Sequence, residues 1–258
     1  MRTAILATAF AAATLVAVPT GGAADANTSC SQLEIQAHRG YHYGSIDQNT
    51  IKSFNAADAH GYAIETDVWH DKQGQLWIFH DRDVARSTNG TGKIDKMTTA
   101  QVEALRYTKG GHRLPKIHKA VNAWSQYPNR RIYIEPKQKD AIPGIVEELK
   151  AAGLRSNIRF TGYWDYVEKN FPKFGTEPKS PKIYFDPSHW VAKHADAVMM
   201  GWQFITVAQV AAYHQAGLEV LETHNNTTTG WENAIRRNFD GIMTDRPNEA
   251  KAFCATVQ

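Results

Sequence analysis

Short apolar runs recur along the chain at residues 35–37, 63–68, 76–79, 131–134, 158–161, 182–185, 198–202, 218–221 and 241–243, each bounded by polar or glycine-bearing stretches. Runs of three to six residues rich in Ile, Val and aromatic side chains read as buried strands, since a buried helix needs a longer pattern. Nine runs are one too many for an eight-stranded barrel. The second and third, however, are separated by His70-Asp71-Lys72-Gln73-Gly74, with a glycine where a tight turn needs positive φ, so they read as a β-hairpin. Helical patterning fills 49–60, 98–105, 142–152, 207–216 and 230–238. Thr98 and Gln101 stand at capping-box spacing, and Gly61, Gly153 and Gly217 stand where helices stop. Alternating strands and helices imply a parallel sheet, and eight such units imply closure. The expected fold is therefore α/β, a single-domain TIM (β/α)8 barrel. Residues 171–181, with three prolines, read as an exposed loop.

The ends add a compartment to this picture. Met1-Arg2-Thr3 opens with a positive charge, residues 4–18 are apolar, and small residues follow to Ala24-Asp25-Ala26, the pattern of a secretory signal peptide. The apolar run is shorter than the ~20 residues that cross a bilayer. Residues 1–26 are thus expected to be removed, leaving 27–258 as an exported barrel, extracellular or periplasmic. The two cysteines, Cys30 and Cys254, are expected to join the termini in an oxidising compartment. Such a long loop closure is worth on the order of 4 kcal/mol. The net charge of +3 in 258 residues, with Lys and Arg scattered, lacks the footprint of a nucleic-acid binder. The chain is read as a monomer with no transmembrane segment, able at most to touch a membrane peripherally.

Polar residues fall at the carboxyl ends of the apolar runs. His38-Arg39 closes the first, Glu65-Thr66-Asp67 the second, His80-Asp81 the hairpin return, Glu135-Pro136-Lys137 the next and Thr244-Asp245-Arg246 the last. That is the face on which such barrels build active sites, and charges held there cost several kcal/mol unless paired or metal-bound. Glu65 and Asp67, two apart on a strand, share a face. With Glu135 they offer three hard oxygens, a set suited to Mg²⁺ or Ca²⁺ rather than zinc. Taken alone, the Glu65–Asp67 pair would also fit an edge strand facing solvent. His38 and His80 are placed to act as acid and base, and Arg39 and Lys137 to bind phosphate. His42 and His70 lie near enough in sequence to touch substrate.

These motifs resemble the glycerophosphodiester phosphodiesterase family. The matching segments are Ala37-His38-Arg39-Gly40, Gln48-Asn49-Thr50, Ile64-Glu65-Thr66-Asp67-Val68, His80-Asp81, Ile134-Glu135-Pro136-Lys137 and Asp240-Gly241-Ile242-Met243-Thr244-Asp245-Arg246-Pro247, in family order. The resemblance implies one divalent cation, Ca²⁺ or Mg²⁺, held by Glu65, Asp67 and Glu135. It also implies acid–base histidines at His38 and His80, phosphate contacts from Arg39 and Lys137, and release of glycerol 3-phosphate and an alcohol.

Three departures qualify it. Gln48 replaces the usual glutamate, which makes it a further candidate metal ligand of reduced charge. Pro136 replaces an aliphatic residue and suggests a local bulge or lost strand pairing. Glu222-Thr223-His224-Asn225 replaces the usual Trp-Thr-Val-Asn, altering the expected pocket wall. Two other readings stand beside the first. One is a phospholipase D-like or C-like enzyme acting on lysophospholipid, sphingomyelin or inositol lipid. The other is a catalytically inactive, secreted ligand-binding barrel.

Overall fold

The structure, a computed structural model, describes residues 32–127, 130–176 and 186–257. The expected signal peptide, Cys30 and the expected strand at 182–185 lie outside the described residues. Strands β1 (Glu34–Ala37), β2 (Ala63–His70) and β3 (Leu76–Ile78) are followed by β4 (Ile132–Pro136), β5 (Ile158–Phe160) and β6 (Gly175–Thr176). The last three are β7 (Ala197–Met200), β8 (Glu219–Glu222) and β9 (Gly241–Thr244). The sheet runs β6-β5-β4-β2-β1-β9-β8-β7, all parallel, with β3 pairing β2 off that path. The two end strands meet through one backbone bond, Asp196 N–H to the Thr176 carbonyl at 3.1 Å, so the barrel is nearly closed.

Around the strands pack α1 (Ile51–His60), α2 (Thr99–Ala104), α3 (Ile117–Trp124), α4 (Ile142–Ala151) and α5 (Trp164–Asn170). Then follow α6 (Pro187–Val191), α7 (Val207–Gln215), α8 (Thr228–Arg236) and α9 (Pro247–Cys254). The expected capping box at Thr98 and Gln101 forms, and Gly61, Gly153 and Gly217 take φ of 81°, 71° and 79°. The β2–β3 hairpin is antiparallel with Gly74 at φ 84°. Between β3 and α3 the chain leaves the barrel and builds a second small core from Phe79, Val84, Ile94, Val102 and Leu105 around Trp77. Among the described residues no helix is long and apolar enough to cross a membrane.

One expectation is corrected and one narrowed. Part of the segment read as a loop, Gly175–Thr176, pairs with β5 as β6. A two-residue strand is too short for alternation to register in sequence. Pro136 makes no bulge: it stays in register opposite Val68, and the next residue, Lys137, donates its N–H to the Val68 carbonyl at 2.9 Å. In a parallel ladder successive N–H groups point to opposite sides. The one Pro136 lacks faces β5, whose last ladder bond is Thr161 N–H to the Ile134 carbonyl at 3.0 Å. The β4–β5 pairing stops at that point, which is the loss of strand pairing expected of a residue without an N–H.

Period-two alternation sorts the strand residues into two sets. Ile35, Ile64, Val68, Ile132, Ile134, Phe160, Val198 and Val220 pack outward into the main core beneath the helices. At 1.5–3 kcal/mol or so for each large side chain taken fully from water, that layer dominates stability. The other set fills the barrel's interior, in three levels. Glu34, Arg131 and Glu219 lie at the amino ends, and Ala63, Tyr133, Met199, Leu221 and Met243 form a buried middle cluster. His38, Glu65, Asp67, Glu135, Lys137 and Asp245 reach the carboxyl ends.

Candidate active site

Strand register assembles the carboxylates. Asp67 lies opposite Glu135 in the β2–β4 ladder, and Glu65 precedes Asp67 by two on the same face. Glu65, Asp67 and Glu135 each bring an oxygen within 4.8 Å of the others. Glu65 and Asp67 are each 1% exposed, so their charges are almost wholly withdrawn from water. Lys137 Nζ joins Asp67 Oδ1 at 2.8 Å to Glu135 Oε1 at 3.0 Å. Burial alone would raise Asp67, but Lys137, His80 and Arg39 reverse that and hold it below the ordinary carboxylate range. Burial likewise disfavours the Lys137 ammonium, yet Asp67 and Glu135 keep its pKa raised.

The loop after β1 carries the next groups and is strained to do so. Arg39 has φ 57° and Asn49 φ 52°. Asparagine tolerates the left-handed region, whereas arginine there costs roughly 1–2 kcal/mol. Three bonds hold the turn: Arg39 N–H to Glu65 Oε2 at 3.1 Å, Asn49 N–H to the Arg39 carbonyl at 2.8 Å, and Ser53 Oγ to the same carbonyl at 3.2 Å. Gly40 follows because a Cβ there would lie 2.5 Å from Ser53 Oγ. Asp47 ties the loop to the excursion, accepting from His112 Nδ1 at 2.7 Å and Gly110 N–H at 2.9 Å. The result aims Arg39 Nε at Asp67 Oδ2, 3.5 Å away. Its other arm donates to Gln48 Oε1 at 2.9 Å. The candidate ligand Gln48 therefore uses its carbonyl on Arg39.

Both histidines border the carboxylates. His38 Nε2 is 3.9 Å from Glu65 Oε2, and its Nδ1 meets Asp245 Oδ1 at 2.7 Å. Burial pushes the His38 pKa down to about 4, against the opposing Asp245 hydrogen bond and with help from Arg39 and His224. His80 follows β3; its Nδ1 lies 3.1 Å from Asp81 Oδ1, and its charge acts on Asp67. His70 stands apart from this group, with Nε2 on Asp140 at 3.1 Å and Nδ1 on the Asp71 carbonyl at 2.8 Å. His42 turns to Asp245 at 3.2 Å.

Two contributors carry more weight here than their sequence positions suggested. Asn49 is fully buried and donates to Asp67 Oδ2 at 2.9 Å while accepting from Thr66 Oγ1 at 2.8 Å, which fixes the carboxylate's direction. Asp245 receives His38, His42 and His224 together. Burial would raise its pKa, but those hydrogen bonds bring it far below the ordinary range. The parity of Asp245, two residues beyond the interior Met243, was a signal available in the sequence; Asn49 stood in the matching Gln48-Asn49-Thr50 segment, but its partner could not be read there, because its direction comes from a loop.

The donor set fits a hard cation. Three carboxylates, two of them buried and Glu135 partly exposed, face two fixed positive side chains, Arg39 and Lys137, which leaves a formal surplus of one negative charge. A divalent ion would turn that surplus into one positive charge, the complement of a phosphodiester's single negative charge.

Comparison with known proteins agrees with this geometry. The profile of the Glycerophosphoryl diester phosphodiesterase family matches residues 38–170. A glycerophosphodiester phosphodiesterase of Caldanaerobacter subterraneus is 25% identical over 228 residues, covering 82% of this chain and 93% of that protein. A probable glycerophosphodiester phosphodiesterase 2 of Mycobacterium tuberculosis is 23% identical over 235 residues, covering 81% and 86%. Among solved structures, a glycerophosphodiester phosphodiesterase from Parabacteroides distasonis superposes with a TM-score of 0.77 at 20% identity, covering 87% of this chain and 98% of that one. An Oleispira antarctica phosphodiesterase in complex with the product sn-glycerol-3-phosphate superposes at 0.76 with 23% identity, covering 88% and 99%. With the matched profile spanning more than half of its residues, the chain belongs to the glycerophosphoryl diester phosphodiesterase family and is a phosphoric diester hydrolase.

Proposed function

We propose that the protein hydrolyses glycerophosphodiesters to glycerol 3-phosphate and an alcohol, using one hard divalent cation at Glu65, Asp67 and Glu135 and acid–base catalysis by His38 and His80. The observation that carries this reading is the meeting of those three carboxylates within 4.8 Å at the barrel's mouth, with His38 3.9 Å from Glu65 and His80 close enough to act electrostatically on Asp67. The bound product in the Oleispira antarctica relative supports the glycerol 3-phosphate half of the substrate.

The cation would supply electrostatic stabilisation of the charge that gathers on the phosphoryl oxygens. The protein's own groups do the rest. Arg39 and Lys137 face the same charge with fixed donors. Asp245 accepts the Nδ1–H of His38, which leaves the lone pair on Nε2, the nitrogen turned toward the carboxylates. Kept neutral by burial, with a pKa of about 4, His38 is the base that takes the proton of the attacking hydroxyl or water. His80, oriented by Asp81 and more open at 31% side-chain exposure, is the acid that protonates the departing alcohol.

A second reading, hydrolysis of a lipid phosphodiester, has one observation of its own. Tyr43, Tyr163 and Phe204, each at least 41% exposed, sit on loops that follow β1, β5 and β7 at the mouth. Aromatic side chains on such a rim suit a lipid interface. Purified protein with added Mg²⁺ or Ca²⁺ should release glycerol 3-phosphate from glycerophosphocholine, and a chelator should stop it. Choline phosphate or choline released faster from lysophospholipid vesicles would favour the lipid enzyme. Absence of turnover on either substrate, with the cation bound, would leave the inactive barrel as the answer. The same proposal places the protein outside the cytoplasm after loss of residues 1–26, with Cys30 joined to Cys254; the mass of the exported protein before and after reduction tests both points.

A further inference from the structure

Asp245 gathers more imidazole than the orientation of one base requires. Its Oδ1 meets His38 Nδ1 at 2.7 Å and His42 Nε2 at 3.2 Å, and its Oδ2 meets His224 Nε2 and Asn226 Nδ2, each at 2.7 Å. The His38 and His224 ring centroids are 4.2 Å apart. The ligand atoms of His38, His224 and Asp245 lie within 4.8 Å of one another. A single oxygen of Asp245 suffices to hold the His38 tautomer. The second and third imidazoles arrive on separate loops, after β1 and after β8, and would repel one another if protonated.

We propose that His38, His224 and Asp245, with His42 as the adjacent fourth donor, form a second metal site for a borderline-soft divalent ion such as zinc, and that filling it switches the enzyme off. Imidazole nitrogens with one carboxylate form a zinc-type donor set, unlike the all-oxygen cluster beside it, so the two sites discriminate between ions by chemistry. Zinc–ligand bonds of about 2.0–2.1 Å in a tetrahedral shell separate ligand atoms by roughly 3.3 Å. The 2.7 Å contacts to Asp245 therefore open by about half an ångström, and a pair at the 4.8 Å limit closes by about 1.5 Å, within the reach of side-chain rotation on two loops.

The consequence follows from imidazole chemistry and rests on the assignment of His38 as the base. A neutral ring has one N–H and one lone pair. Coordination through Nδ1 uses the lone pair there and moves the ring's single proton to Nε2. Nε2 then presents an N–H toward Glu65 and can no longer accept a proton from the nucleophile. The carboxylate cluster and its cation are untouched, so loss of turnover would come without loss of the hard ion.

The test uses the full mature chain in saturating Mg²⁺, titrated with zinc alone against a chromophoric zinc chelator, with turnover of a chromogenic aryl phosphodiester followed in parallel. One zinc should bind per chain as turnover falls at least tenfold, and a zinc chelator should restore it. His224→Asn, read against its own zinc-free turnover, should bind zinc about 10–100-fold more weakly and resist inhibition to the same degree; His42→Asn should show a smaller shift. Zinc binding that is absent, or unchanged in His224→Asn, overturns the site. Binding abolished by His224→Asn but without effect on wild-type turnover overturns the switch. Inhibition that persists in His224→Asn or yields to more Mg²⁺ assigns zinc to the carboxylate cluster and also overturns the proposal. If the chain has no zinc-free turnover the proposed function fails, while the binding titration still decides the site.

Discussion

The two ends of the barrel's interior hold charged clusters built from the same residue types, yet they treat charge in opposite ways. At the floor, Arg131 pairs with Glu219, stands 3.5 Å from Glu34, and shares Tyr133, whose hydroxyl donates to Glu34. Burial raises the Glu34 pKa, and Arg131, Tyr133 and Gln36 only partly offset it. At the mouth, Asp67 is more deeply buried than Glu34, whose side chain is 23% exposed, yet Lys137, His80 and Arg39 outweigh desolvation and lower it. The floor settles two carboxylates against one guanidinium by favouring a bound proton. The mouth holds Asp67 below the ordinary carboxylate range, and its three carboxylates outnumber the two fixed cations. A cluster that satisfies itself holds strands together; one left with surplus charge is poised for an ion and a substrate.

The contrast can be broken most forcefully at the histidines. His38→Ala and His80→Ala should each lower turnover by about 10²–10⁴-fold with an unchanged unfolding midpoint. Wild-type rates in either variant would remove that residue from the mechanism. At the floor, Arg131→Met leaves the partly exposed Glu34 and Glu219 without their cation and should cost about 1–2 kcal/mol of stability in urea titration, with kcat/KM per folded molecule unchanged. A loss of activity without a loss of stability would dissolve the distinction between the two ends.

Smaller effects sharpen it. Asp67→Asn and Glu65→Gln should weaken the cation's affinity more than substrate binding. Asn49→Ala, which frees Asp67 to turn, should weaken the cation roughly 10–100-fold in a metal titration. The pH dependence of stability should have opposite signs at the two carboxylates. Folded Glu34 retains a proton that the unfolded chain releases, so its contribution is lost as pH rises above the ordinary value of 4.5. Folded Asp67 releases its proton more readily than the unfolded chain, so its contribution is present above 3.8 and lost as pH falls below it. Glu34→Gln should flatten the first slope and Asp67→Asn the second, read from urea midpoints across a pH series; slopes of the same sign would contradict the pairing described. Gln48→Glu should act least, because its side chain sits on Arg39. A clear gain in cation affinity would place it in the coordination shell instead.

The alternation of apolar runs and helical stretches was enough to read the barrel, the β2–β3 hairpin and the interior placement of Glu65 and Asp67. Each of these depends on a local period or on a turn that glycine alone adopts easily, and such information is written residue by residue. Helices α5 and α6 went unread because elements of seven and five residues carry little periodicity, whereas α3 places Ile117, Ala120, Val121 and Trp124 on one buried face and was readable in the sequence but passed over, as was α9. Pro136 was legible as a bulge or a loss of pairing, and only the structure decided between them: β4 stays in register with β2 while its pairing with β5 stops where the missing N–H would have donated. The carboxylate trio and the two histidines were legible as residue types at strand ends. Their distances, the turning of Asp67 by Asn49, the convergence of three imidazoles on Asp245 and the occupation of Gln48 by Arg39 were decided by the tertiary structure. Those relations join residues as much as 207 positions apart, as between His38 and Asp245, and depend on strand register and burial, which set both distance and the cost of charge.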